Sequence, residues 1–186
     1  MRFPVQRIDA MRALAAGLMA FAWTLGFGQD RSLEYAVKAT YLYKFAPFVQ
    51  WPDDAFESPA SPLTLCVLGS DPLSALIDEA VGAQVVDGRP VAVRHLMPPL
   101  RETACHMLYV ASSRAATLRQ ALETVRGRPV LTIADEAPPG EDGLVVNLVT
   151  IDGRVRFEID LRAAAANRLV VSSKLLALAL SVRHNP

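Results

Sequence analysis

"LTLCVLGSDPLSALIDEAVG", residues 63 to 82, reads as a strand that hands over directly to a helix. Leu63 to Gly69 is apolar at alternate positions on both sides, so the strand is buried on both faces. That is the mark of a parallel sheet with a layer on each side. Asp71 can then cap a helix whose first turn holds Pro72. One buried strand followed by one capped helix is half of a βαβ unit, and the rest of the chain repeats the alternation.

Downstream, "RPVAVRHL" (89–96) alternates like a half-buried strand, and "CHMLYVA" (105–111) is a second fully buried one. "SSRAATLRQALETVRG" predicts a capped helix ending at Gly127, and "PVLTIAD" (129–135) a further strand. After the turn-rich "EAPPGEDG", "LVVNLVTIDGRVRFEID" reads as a hairpin around Asp152–Gly153, a strong tight-turn pair. "LRAAAANR" and "SSKLLALALSVR" read as helices. The second is capped by Ser172 or Ser173 and is apolar nearly all round, so it belongs in the core or a dimer interface. The expected fold is α/β: a three-layer sandwich with a mostly parallel sheet, a C-terminal antiparallel hairpin and helices on both faces.

Upstream, a helix from a Ser32 cap to about Phe48 carries an apolar stripe of Leu33, Val37, Tyr41, Phe45 and Phe48. Glu34 and Lys38 form an i, i+4 pair on another of its faces. Pro47 and Pro52 end it amid four aromatics, Phe45, Phe48, Trp51 and Phe56. Two readings stand. The aromatics seal the helix end against the sheet, or they form an exposed anchor for a protein partner.

The first 28 residues differ from the rest. Arg2, Arg7 and Arg12 precede the unbroken apolar run Ala13 to Leu25, and "GFGQ" supplies small residues for cleavage. This is a secretory signal, too short to span a bilayer. Cleavage after Gly28, or earlier near Ala22, leaves one domain, residues 29–186. The signal holds three of the 19 basic and one of the 19 acidic residues, which leaves 16 against 18 and a net charge of about −2. Such a chain has no electrostatic footprint for nucleic acid. Export also favours pairing of the two cysteines, Cys66 and Cys105, over two separate buried thiols. Closing a loop of that length is worth about 4 kcal/mol.

Catalytic and cofactor motifs are missing. No GxSxG, P-loop, HExxH or GxGxxG occurs. The three histidines, His95, His106 and His184, have no metal-ligand spacing. His106 follows Cys105 on a strand and points to the opposite face, so it is badly placed to activate that thiol. "VLGSDP" is a weak anion-binding turn, and a small-molecule module would use the strand ends near Gly69, Ser70 and Ser112. In "GRVRFEID", Val155, Phe157, Ile159 and Leu161 share one face, while Arg154, Arg156, Glu158 and Asp160 share the other. That polar side is either a solvated face or a binding surface centred on Arg156 and Glu158.

"SLEYAVKATYLYKFAPFVQWP" resembles the N-terminal helix of the YfiR family of periplasmic regulators. The likeness continues through "LTLCVLGSDP", "VDGRPVAVRHL", "ACHMLYVASS", "RGRPVLTIAD" and "GLVVNLVTIDGRVRFEIDLRAAAANRLVVSSKLLALA", in order along the expected mature chain. The resemblance implies a non-enzymatic periplasmic homodimer with no cofactor. It implies repression of an inner-membrane diguanylate cyclase, or another membrane sensor, and so control of cyclic di-GMP and biofilm. It also implies relief by an OmpA-like outer-membrane lipoprotein. Cys66 and Cys105 match a disulfide position of such proteins. A second pair found in some members is absent, since residues 136–148 contain no cysteine.

Overall fold

The computed structural model describes residues 26–97, 104–111 and 115–184. Most of the expected signal segment, residues 1–25, lies outside them, as does Ser112. Residues up to Leu33 form one unit and residues from Glu34 onward another.

Eight strands of the second unit form one sheet. In chain order these are β2 (Leu63–Gly69), β3 (Val85–Val86), β4 (Arg89–Leu96), β5 (Met107–Ala111), β6 (Leu131–Asp135), β7 (Val146–Ile151), β8 (Arg154–Asp160) and β10 (Ser181–Arg183). Their order across the sheet is β10-β8-β7-β6-β5-β2-β4-β3. Strands β4, β2, β5, β6 and β7 are mutually parallel, and β8 returns antiparallel to β7. The expected mixed sheet with a C-terminal hairpin is thus borne out.

Helices α1 (Gly26–Lys44) and α2 (Ser74–Val81) are joined in the second half of the chain by α4 (Leu161–Ala166) and the short α5 (Ser173–Leu176), and α3 is Ala115–Val125. One face of the sheet carries Leu65, Val67, Met107, Tyr109, Ile133, Val146 and Phe157, packed with Leu42 of α1 and Phe45 just beyond it, and with Ile77 of α2 and Leu73 just ahead of it. The other carries Cys66, Leu68, Leu108 and Val110 under Leu118, Ala121, Leu122 and Val125 of α3. Right-handed crossovers require this split. The β2–β4 step and the β5–β6 step run in opposite directions across the sheet, so their helices fall on opposite faces. Cys66 and Cys105 are bonded between adjacent strands, with Cα atoms 5.8 Å apart.

Local chemistry explains several elements. Asp71 accepts from Ser74 N at 2.6 Å, and Ser74 Oγ accepts from Asp71 N at 2.9 Å, a reciprocal cap at the start of α2. Gly69 has φ +91°, and a Cβ there would sit 2.6 Å from the Ala111 carbonyl, so β2 can approach the end of β5 only with glycine. The hairpin turn Asp152–Gly153 has φ of 50° and 68°. Asp87–Gly88 repeats that geometry between β3 and β4 with 48° and 79°, a second hairpin beyond the single expected strand.

Three expectations are corrected. Helix α1 starts at Gly26, so Ser32 lies inside it rather than capping it; no proline interrupts the helix between 26 and 44. The inward row of α1 is Lys38, Ala39 and Leu42, continued past its end by Phe45 and Ala46, leaving Leu33 66% exposed and Val37 and Tyr41 half-buried. The last apolar run is not a long helix. Ser172 caps α5 as expected, but Leu180 N then donates to Phe157 O at 2.8 Å and β10 pairs parallel with β8. The open backbone of β8 captures the chain, and Leu178 and Leu180 are left 64% and 47% exposed. A further pair, β1 (Val49–Gln50) with β9 (Val170–Val171), forms a separate two-stranded sheet.

The roll of α1 follows from Lys38. Its ammonium is buried 2.6 Å from both Glu34 and Asp135. Burial alone would pull the amine down, but hydrogen bonds and charge from Asp135 and Glu34 hold it above its ordinary value. Burial pushes the Asp135 carboxyl up, and Lys38 reverses only part of that rise. Thr150 Oγ1 donates to Glu34 at 2.7 Å and so ties the helix to β7. Lys38→Ala strands two carboxylates and should cost about 3–5 kcal/mol in urea unfolding. Replacing Lys38, Glu34 and Asp135 together by leucine or methionine should recover most of that loss. Equal losses in the two variants would show that the ion cluster does not set the cost.

Candidate functional site

Helix α3 covers β2, β5 and β6 but leaves much of the β7–β8 hairpin open on that side. The period-2 pattern places Arg154, Arg156 and Glu158 of β8 on this open face, with Asn147, Val149 and Ile151 of β7 beside them. Arg154 and Arg156 are exposed, and neither has an ion-pair partner among the described residues. Ile151 is 43% exposed next to them.

Towards β10 the face becomes a polar lattice. Glu158 accepts from Asn147 Nδ2 at 3.2 Å and from Ser181 Oγ at 3.1 Å, so one carboxylate links three strands. One register step on, Asp160 accepts from the backbone N of Arg162 and Ala163 and so caps α4. It also pairs with the guanidinium groups of Arg162 and Arg183, each at 3.1 Å. Burial pushes its carboxyl up, but the hydrogen bonds of Arg162 and of the capped amides outweigh that and hold it below the usual range. Between this lattice and the loop Pro138–Glu141 lies a cleft of about 150 Å³. Buried Glu141 closes the loop side through a two-bond pair with Arg119 of α3, at 3.1 Å each.

The expected site residues do not form one surface. Phe45 is 2% exposed and stacks edge-on against Phe157, 5.1 Å between centroids, so it belongs to the core rather than to an anchor. Phe48, Trp51 and Phe56 are half-buried against the same core. Trp51 Nε1 donates to the His106 carbonyl at 3.2 Å, and Phe56 stacks on the His106 ring at 4.2 Å. These contacts pack the aromatic stretch against the sheet. Arg156 and Glu158 do share the open face. Gly69 and Ser70 sit at the end of β2, where the strand order reverses between β2 and β5.

Several groups with catalytic potential are engaged in structure. Cys66 and Cys105 are bonded. His95 holds Asp78 of α2 at 2.7 Å on the surface. Tyr109 donates to Asp71 at 2.6 Å, and burial pushes its phenol far above the ordinary range, so it acts as a donor only. Among the described residues, no group of three or more His, Cys, Asp or Glu is placed to hold a metal, and no helix is long and apolar enough to cross a membrane. What the open face offers is recognition: two unpaired arginines, adjacent aliphatics and a rigid polar lattice.

Sequence reasoning missed Asn147, Ser181 and Arg183, because it placed the last two on a helix. It also missed that Lys38 is buried. The Glu34–Lys38 spacing looked like an ordinary surface pair, and nothing local announces Asp135.

The family model described as YfiR/HmsC-like matches residues 35–180. The chain belongs to the YfiR/HmsC-like family. The match spans every strand of the main sheet except β10, so the hairpin face is part of the family domain. Among curated proteins no match was found.

Because Asp160 both caps α4 and holds Arg183, Asp160→Ala should cost about 2 kcal/mol and expose the β10 amides. Urea unfolding gives the first number and hydrogen exchange at Val182 the second. The folded carboxyl titrates below its unfolded value, so its contribution is present at neutral pH and is lost as pH falls through the lowered value. Wild type and variant should converge in stability in strong acid.

Proposed function

We propose that this protein is a non-enzymatic periplasmic regulator. It binds the periplasmic sensor domain of an inner-membrane signalling enzyme, a diguanylate cyclase, and represses it. Family membership over residues 35–180 carries this reading. Residues 1–28 act as a cleaved export signal, and residues 29–186 work as a homodimer. An OmpA-like outer-membrane lipoprotein relieves the repression by competing for the regulator.

Physically, repression requires only that the regulator bind the inactive arrangement of the sensor better than the active one. The population shift equals that difference in affinity. The open hairpin face suits the task, since exposed Arg154 and Arg156 beside Ile151 have the composition of a binding hot spot. The partner patch is acidic with an aliphatic centre. A second reading, a small-molecule sensor using Gly69, Ser70 and Ser112, is favoured by the reversal of strand order beside Gly69.

Tagged protein captured from an envelope extract should bring down a membrane cyclase, and its own mass should begin near Gln29. Recovery of no membrane sensor would sink the regulatory reading. Arg154→Glu with Arg156→Glu should weaken that capture at least tenfold and raise cellular cyclic di-GMP. Both sites are exposed, so stability should change by less than about 0.5 kcal/mol. A small ligand at 100 times its dissociation constant would instead add about 2.7 kcal/mol in thermal unfolding, the signature of the second reading.

A further inference from the structure

The segment that follows Phe48 is held against the sheet by several bonds, and one imidazole lies at their centre. His106 Nδ1 accepts from the Thr64 backbone N at 3.0 Å, on β2. Its Nε2 lies 3.0 Å from the Ala55 carbonyl, in the 3₁₀ turn Asp53–Ala55. An N–H on one side and a C=O on the other leave a single solution: the neutral ring, protonated on Nε2 and bare on Nδ1. Phe56 stacks on the ring at 4.2 Å, and Arg89 lies 3.9 Å over the other side of Phe56 while donating to Ser58 O and Ser61 O. Ring, Phe56 and Arg89 thus form one stack holding residues 51–61 against β2 and β5.

We infer that His106 is an acid-sensitive staple: the segment around Trp51–Ser61 stays docked while the imidazole is neutral and is released when it takes a proton. A proton on Nδ1 would face the Thr64 N–H, donor against donor, at hydrogen-bond distance. The ring must then turn, which breaks the Ala55 bond and unstacks Phe56. The charged surroundings agree. Arg89 of β4 is the charge acting on the ring, and it disfavours a second cation there. On the segment itself, Asp54 is held by Arg168 at 2.9 Å, while Asp53 and Glu57 are exposed. Cys66 on β2 and Cys105 just ahead of β5 do not titrate, since they are bonded, and Tyr109 of β5 is held as a donor to Asp71.

Burial and Arg89 lower the imidazole, and the Ala55 bond offsets only part of this. The folded value is therefore below 6.5. A neutral-form preference weakens the docked state as pH falls below 6.5 and reaches its limit at the folded value. Release therefore lies on the acid side of the ordinary imidazole value.

Trp51 reports the event once Trp23 is replaced by Phe in the full-length chain. Emission should shift to the red in a single-proton step with its midpoint below pH 6.5, while far-ultraviolet circular dichroism stays constant. His106→Gln keeps an acceptor and a donor at every pH, so its Trp51 signal should be flat over that range. A flat wild-type signal, the same step in His106→Gln, or a step that coincides with loss of circular dichroism would overturn the inference. If His106→Gln does not fold, the His106 ring is followed by NMR in a His95→Gln, His184→Gln background. A ring midpoint equal to the fluorescence midpoint supports the staple, and a different one refutes it.

Discussion

The pairing of β2 with β5 is the constraint on which everything else is hung. Five register pairs, Leu65 with Met107 through Gly69 with Ala111, run down the middle of the sheet. Both strands are buried on both sides, so each residue must suit a different layer. Odd positions of β2 and β5 feed the α1–α2 side, and even positions feed the α3 side. The disulfide fixes the entry to this pairing, and Gly69 lets its exit close. Hydrophobic burial supplies most of the stability of such a core, but it does not by itself choose a register. The cross-link and the glycine do.

Much of this was legible from residues alone. The strands of the sheet's centre announce themselves by continuous apolar runs, and α2, α3 and the β7–β8 turn by caps and an Asp-Gly pair. These are local signals, and local rules read them. Two of the failures share a cause: each depends on a partner distant in sequence. The face of α1 was read from its Leu33–Val37–Tyr41 stripe, yet Asp135 and Glu34 draw Lys38 inward and turn that stripe aside. "SSKLLALALSVR" has the composition of a buried helix, yet the free edge of β8 takes its last residues as a strand. Asp87–Gly88 was the exception, a local signal identical in kind to Asp152–Gly153.

Polar groups do the specifying in this molecule. Thr132 Oγ1 donates to Gly143 O and accepts from Val145 N, so a side chain stands in for a missing ladder rung between β6 and the start of β7. Asn167 takes Gly127 N and gives to Val130 O, which fixes the turn after α3. Such bonds add little net stability, but leaving any one unmade would be costly in a dry interior. They therefore select one arrangement among the many that would bury the same apolar area. The candidate site follows the same logic, since Glu158 and Asp160 hold β10, the Glu141–Arg119 pair holds the loop, and Arg154 and Arg156 are left unencumbered.

The tie between Glu34 and Thr150 spans 116 residues of sequence. Helix α1 is thus the earliest described element of the chain, yet its docking place is assembled from β6 and β7. Long-range closure of this kind is slow, because chain entropy is lost before the contact forms. The helix must wait, undocked, until the middle of the sheet exists. A chain that emerges from its N-terminus therefore completes this fold only once the residues around Thr150 are there to receive the helix.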